Sequence, residues 1–377
     1  MRIFVAVIAA LTVLFISISA QEKVTESAIG TKDNLSVSVD KYLISLTEAG
    51  FSGTVLIAKG DQIILHKGYG WTDKQRTVPV SVNTEFWVAS ISKQFAAAAI
   101  LKLEEKGKIS LTDLITKYFK SVPKDKAAIT VHQLLSHTSG VGQNYAADGI
   151  INRDDAVRSI LKEPLKSVPG EKYNYSNDNY TLLAAIIEVA SGQSYESFLR
   201  ENLFYPAGMS QSSFWGETGR HRQGKIAPII GEIPANSKEA NWGFRGATGI
   251  SSTSGDLYKW HRALLTNIVI SKISREKLFK PYVKAGNVGQ YAYGWFVSKT
   301  KDGQEVVWTR GNEDFGHNAI ISRYSNGLVT IVLSNAGESA GVPVSRIVSA
   351  ELEKIIYGNN AAPNNGMHPT RDTLPVM

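Results

Sequence analysis

The sequence predicts an α+β fold: an antiparallel sheet formed from both chain ends, flanked by helices, with a mostly helical subdomain inserted. Three observations predict it. A hairpin pattern lies near the start, residues 94–191 carry mainly helical spacing, and a strand-rich stretch follows Tyr291. The chain has 377 residues and 43% hydrophobic content, enough for one large core or two subdomains. It shows no internal repeat and no interdomain linker, so a single domain is expected over residues 33–358.

The elements follow in order. Arg2, a mainly apolar run over residues 3–18, and small Ser19 and Ala20 before Gln21 predict an export signal over 1–20, cleaved after Ala20. A periplasmic or secreted location follows. The run is slightly short for a full span, so membrane contact is expected only through an uncleaved leader. Leu35, Val39, Leu43, Leu46 and Ala49 recur at helical spacing. Residues 53–58 and 62–66 flank Lys59-Gly60-Asp61 and predict a hairpin. Helices are predicted over 94–107, 111–119, 131–136, 154–161 and 180–191. Strands are predicted over 292–297, 305–309, 319–324 and 328–333, with turn signals at 301–303 and 324–327. A closing helix over 344–356 has Pro343 at its first turn. The polar tail, 359–377, is predicted to be disordered.

Composition excludes several chemistries. The chain has no cysteine, so it has no disulfide, cysteine nucleophile, cysteine zinc site or lipidated cysteine. Its histidines form no His-Glu-x-x-His pattern, and no Gly-x-x-x-x-Gly-Lys-Ser/Thr loop occurs. No metal and no cofactor is therefore expected. The formal charge is +7, but the lysines are spread along the chain and read as solubilising charge, so no nucleic-acid partner is expected. Trp71, Trp87, Trp242, Trp260 and Trp295 read as core or cleft walls, and Trp242 and Trp308 as the aromatics lining a cleft.

The chemistry centres on Ser90 and Lys93. They lie three residues apart, so on a helix they share one face. A serine hydroxyl needs a base, and lysine can be that base only if burial or nearby charge lowers its pKa. Ser-x-x-Lys also occurs at Ser38, Ser121, Ser159, Ser274 and Ser298, where a solvated surface pair is the simpler reading. Ser90 differs because an extended stretch, 84–89, leads into a helix there. A nucleophile at a helix N-terminus faces partial positive charge. A second set, Tyr175-Ser176-Asn177, follows the turn signal Pro169-Gly170 and places a phenol and an amide on a loop. The other Tyr-x-Asn tripeptides, at Tyr324 and Tyr357, fit turn and terminus chemistry.

Val88-Ala89-Ser90-Ile91-Ser92-Lys93, Leu134-Leu135-Ser136-His137-Thr138-Ser139-Gly140 and Tyr175-Ser176-Asn177 together resemble the serine β-lactamase-related family. That group holds class C β-lactamases, penicillin-binding proteins and related esterases. The resemblance runs over residues 35–358, with the motifs in the family's order. It implies a β-lactamase/transpeptidase-like fold and a role for each matched residue. Ser90 would be acylated, and Lys93 would take its proton. Tyr175 would act with Lys93 and then activate the acceptor in deacylation. Asn177 would hold Lys93 and the substrate carbonyl, and His137 would be structural. The Ser90 N–H would form half of an oxyanion hole.

The third motif departs from the family's Lys-Thr-Gly or His-x-Gly. His66-Lys67-Gly68, Lys284-Ala285-Gly286 and Lys301-Asp302-Gly303 have that form but fall in a hairpin strand, a loop and a turn. By order, Val307-Trp308-Thr309-Arg310-Gly311-Asn312 takes the place. Thr309 would replace the usual cation, Gly311 would keep a close backbone approach, and the Asn312 N–H would be the second oxyanion donor. Arg310 would reach the site only if the strand bulged, and His317 follows a short loop later. The leading expectation is an exported serine hydrolase cleaving an ester or amide; the loss of the cation at Thr309 favours an esterase or amidase over β-lactam hydrolysis, with a β-lactam or D-amino-acid peptide left open as substrate. Its partner would be a small-molecule or peptidoglycan-type substrate. A penicillin-binding D,D-peptidase and a binding or sensing domain without turnover stay open.

Overall fold

The computed structural model describes residues 32–217, 241–300, 303–313 and 316–357. The predicted leader (1–20) and tail (359–377) lie outside them. Helix α1 (Lys32–Glu48) leads into the hairpin β1 (Gly53–Lys59) and β2 (Gln62–Tyr69). Next come the short strand β3 (Phe86–Trp87) and helices α2 (Ser92–Glu105), α3 (Val131–Leu135), α4 (Arg153–Lys162), α5 (Asn177–Ser191) and α6 (Tyr195–Leu199). Strands β4 (Ser213–Phe214) and β5 (Ile250–Ser252) precede α7 (Ser254–Leu264) and α8 (Lys272–Phe279). The chain then forms β6 (Val283–Lys284), β7 (Gln290–Tyr291), β8 (Phe296–Lys299), β9 (Glu305–Asn312), β10 (Asn318–Tyr324) and β11 (Leu328–Ser334). Helix α9 (Val344–Tyr357) follows.

The large sheet has eight strands in the order β2-β1-β11-β10-β9-β8-β7-β6. Both chain ends therefore build it, as the hairpin and late strands predict. The β1–β11 pairing runs from Gly53 opposite Ser334 to Lys59 opposite Leu328. Strand β1 is buried on both faces. Leu56 and Ala58 join a core shared with α2, α5 and α7, while Val55 and Ile57 join one shared with α1 and α9. Period-two alternation sends successive side chains to opposite faces, so one apolar strand fills both layers. On α1, Leu35, Val39, Leu43 and Leu46 form the buried stripe. Each fully buried aliphatic side chain of this kind contributes about 1.5–3 kcal/mol.

Three elements differ from the sequence expectation. Residues 111–119 hold only a short 3-10 turn, Ile115–Lys117. The Asp113 carboxylate accepts from the Ser110 N–H, Lys117 and the Tyr118 hydroxyl, and Leu114 is extended in a bridge to Thr130. Local side-chain bonds outcompete a helix there. Residues 292–297 are not one strand. The Ala292 N–H donates to the Trp295 carbonyl at 2.8 Å, closing a turn around Gly294 at φ +79. A Cβ on Gly294 would lie 2.8 Å from the Gln94 backbone nitrogen, so the turn seats the sheet edge on α2. Finally, α5 begins at Asn177, three residues before the expected start.

A smaller sheet, ordered β3-β5-β4, frames the approach to Ser90. It continues past β3 as a Val88 N–H to Ile250 carbonyl bond of 3.0 Å, and the Ile250 N–H donates to Ser92 Oγ at 3.1 Å. Among the described residues, no helix is long and apolar enough to cross a membrane.

Candidate active site

Ser90 lies in a 3-10 turn, Ala89–Ile91, that runs directly into α2. Ala89 has φ +49, a left-handed conformation that non-glycine residues adopt at a cost of about 1–2 kcal/mol. The turn lifts Ser90 onto the wall of a cavity of about 660 Å³, while Lys93, one turn later, is 1% exposed. Lys93 Nζ lies 3.0 Å from Ser90 Oγ and donates to Asn177 Oδ1 at 2.7 Å and to the Ala247 carbonyl at 3.0 Å. The Tyr175 hydroxyl donates to Ser90 Oγ at 2.9 Å.

The electrostatics separate these groups. Burial pushes Lys93 down to about 7, against an opposing pull from Glu313. Burial thus favours the neutral amine far more than in a solvated lysine. Burial raises Tyr175 above its ordinary value, with the Ser90 bond and Arg310 pulling the other way, so its phenol keeps its proton. A neutral Lys93 has two N–H groups and one lone pair. Asn177 and Ala247 take the two hydrogens, which leaves the lone pair for the Ser90 proton.

Asn177 is the first residue of α5 rather than part of a loop, and its N–H donates to Gln143 Oε1 at 3.1 Å. His137 is buried, and its Nδ1 accepts from the Ser176 N–H at 3.2 Å. His317 is also buried. It accepts from the Trp87 N–H at 2.9 Å and so supports the strand before Ser90 rather than the cavity.

The third motif forms the opposite wall. Gly311 lies against the Ser90 turn: a Cβ there would be 2.1 Å from the Val88 carbonyl oxygen and 2.9 Å from the Ser90 nitrogen. Asn312 lines the cavity. Thr309 is 2% exposed and absent from the lining, whereas Arg310 lines it. No bulge brings Arg310 there, because β9 and β10 keep an unbroken register through Ile320 opposite Arg310. The cation that the sequence reading found replaced at Thr309 is therefore present one residue later, at Arg310. Trp242 and Trp308 are buried and do not line the cavity, whose aromatic wall is Tyr145, Tyr173, Tyr175, Phe244 and Phe296. Sequence reasoning admitted Arg310 only through a bulge and missed Ala247. The first was readable from strand parity once Gly311 was assigned to face Ser90; the second acts through its backbone and has no side-chain signature.

Among the described residues, no group of three or more His, Asp or Glu side chains is placed to hold a metal ion.

Comparison with known proteins gives a consistent picture. A family model described as Beta-lactamase matches residues 39–352. A penicillin-binding protein of Bacillus subtilis is 30% identical over 333 residues, covering 82% of this chain and 73% of that protein. The structure of the octameric penicillin-binding protein homologue from Pyrococcus abyssi is similar with a TM-score of 0.73 at 25% identity, covering 86% of this chain and 77% of that one. The D-amino acid amidase of Ochrobactrum anthropi shares the fold, with a TM-score of 0.68 at 22% identity over 80% of this chain and 91% of that one.

Proposed function

The chain belongs to the beta-lactamase family, and on that premise we propose that it is a serine hydrolase that cleaves an ester or amide through an acyl-Ser90 intermediate. The observation that carries the reading is the meeting of Lys93 Nζ and the Tyr175 hydroxyl on Ser90 Oγ, at 3.0 and 2.9 Å.

In the proposed first step, Ser90 Oγ attacks the substrate carbonyl carbon and its proton moves to the neutral Lys93 amine. Charge develops on the carbonyl oxygen, toward the N–H groups of Ser90 and Asn312. The C–O or C–N bond then breaks. The leaving group takes a proton from the Lys93 ammonium, relayed by the Tyr175 hydroxyl. Water attacks the acyl-enzyme in the second step and gives its proton to the same pair, which returns it to Ser90 Oγ as the acyl C–Oγ bond breaks and the acid leaves. Asn177 keeps the Lys93 amine aimed throughout. The expected substrate has a carbonyl with an anionic group near it, since Arg310 faces the cavity. Export through the 1–20 leader belongs to the same proposal, and N-terminal sequencing of the mature protein tests it.

A penicillin-binding D,D-peptidase uses the same acylation, and the Bacillus subtilis and Pyrococcus abyssi relatives favour it as the second reading. Intact-mass spectrometry after a fluorophosphonate and, separately, a penicillin decides between them, with Ser90→Ala alongside. One adduct that disappears in the variant supports the serine nucleophile. A persistent penicillin adduct selects the peptidase, and the absence of any adduct sinks both readings.

A further inference from the structure

We propose that His137 is the positioning residue for this chemistry, gripping the chain on both sides of Tyr175 and held in one tautomer by its own partners. The inference rests on the hydrolase reading above for its kinetic consequence, but not for its structural one.

The grip is double. The Asn174 N–H donates to the His137 carbonyl at 2.8 Å, and the Ser176 N–H donates to the His137 side chain at Nδ1, 3.2 Å away. These are the residues immediately before and after Tyr175. The imidazole also packs against the phenol ring, centroid to centroid at 4.5 Å. Ser176 directly precedes the first residue of α5, so the same bond sets where Asn177 begins the helix. Backbone and side chain of one residue thus fix the phenol that meets Ser90 and the amide that meets Lys93. His137 makes both contacts from a left-handed backbone, with φ +57.

The tautomer follows from counting protons. Ser139 Oγ donates to Asn179 Oδ1 at 2.6 Å, which turns the Asn179 amide N–H toward His137 Nδ1 at 3.2 Å. Two donors therefore converge on Nδ1, which holds no hydrogen. On the far side, the Tyr291 hydroxyl donates to the Tyr180 hydroxyl at 3.4 Å, and the Tyr180 hydroxyl donates to the Leu135 carbonyl at 2.9 Å. The Tyr291 oxygen is left to accept from His137 Nε2–H at 3.1 Å. The ring is 0% exposed and does not line the cavity, so it acts only through Tyr175 and Asn177. Burial and the nearby Lys93 hold its pKa well below the ordinary histidine value, in keeping with a ring that takes no second proton.

Two measurements test this. Nitrogen-15 NMR of the histidine ring reads the tautomer whether or not Ser90 is ever acylated. The expected signature is an unprotonated Nδ1 and a protonated Nε2, unchanged from about pH 5 to about pH 9. A proton on Nδ1, or a doubly protonated ring, overturns the assignment. Fluorophosphonate labelling of Ser90 reads the positioning. His137→Asn retains an acceptor near the Nδ1 position, whereas His137→Gln moves its polar end toward the Nε2 position and His137→Leu has no acceptor. The labelling rate constant should fall about a hundredfold in His137→Leu, with apparent affinity nearly unchanged and the fold intact by circular dichroism. His137→Asn should recover about tenfold of that loss and exceed His137→Gln. Equal rates for the Asn and Gln variants, or a Leu variant as fast as wild type, overturn the positioning role. If the Leu variant does not fold, the Asn–Gln comparison decides. Failure of the wild type to label is a failure of the hydrolase reading, and the NMR result still stands or falls by itself.

Discussion

Gly311 lies so close to Val88 that a Cβ on it would sit 2.1 Å from the Val88 carbonyl oxygen. The neighbouring atom is backbone, so it cannot swing aside as a side-chain tip can. The contact sets the distance between β9 and the Ser90 turn, and hence the distance between the Asn312 N–H and the Ser90 N–H.

Gly311→Ala should therefore separate the two walls. Displacements of about 1 Å in such sites cost about a hundredfold in rate. The Ser90 labelling rate should drop by that order, and a crystal structure of the variant should show β9 moved outward from the Ser90 turn. Wild-type labelling in this variant would mean that the proximity has no part in the chemistry.

The pH dependence follows from Lys93. Its folded-state pKa is lowered to about 7 by burial, and the proposed base is its neutral form. Acylation should thus be slow below pH 7, rise about tenfold per unit with pH in that range, and level off above it. Tyr175 is raised by burial, so its ionisation should leave no limb near neutrality. Lys93→Arg, which stays charged, should lose the activity at every pH. Stopped-flow acylation across the pH range checks both outcomes.

Arg310 lines the cavity beside Tyr173 and Tyr175, and both phenols feel its charge. Arg310→Met should raise KM about tenfold for a carboxylate-bearing ester and leave a neutral ester of the same shape nearly unchanged. An equal effect on both esters would assign Arg310 to packing instead.

Thr130 caps α3 in a reciprocal arrangement. Its side chain accepts from the Gln133 N–H, and the Gln133 side chain accepts from the Thr130 N–H. Thr130→Ala should cost about 1 kcal/mol, read as a shift in the denaturant midpoint at unchanged slope.

Much of the site was legible because its spacing is local. Ser90 and Lys93 meet through helical periodicity, and Tyr175 and Asn177 flank one cap residue, Ser176. The sheet built from both ends was equally readable, since β1 and β11 are mainly apolar runs bounded by turn signals. The failures have physical causes. Residues 111–119 have helical spacing, but Asp113 bonds to nearby groups instead. Residues 292–297 are apolar enough for a strand, but Gly294 turns to meet Gln94. For the third motif, alternation was applied correctly and its phase was not. Gly311 faces the Ser90 backbone, so Arg310 and Asn312 share the face open to the cavity.

The pairing of β1 with β11 has a kinetic consequence. Roughly 270 to 280 residues separate the partners, so loop closure must precede any reward from that ladder. Such non-local contacts slow folding. During synthesis, Ser90, Lys93 and Tyr175 all leave the ribosome before β11 exists to close the sheet. The nascent chain thus holds these three side chains while it lacks the scaffold that aligns them. Reactivity should appear abruptly, as the last strands dock, rather than accumulate with chain length.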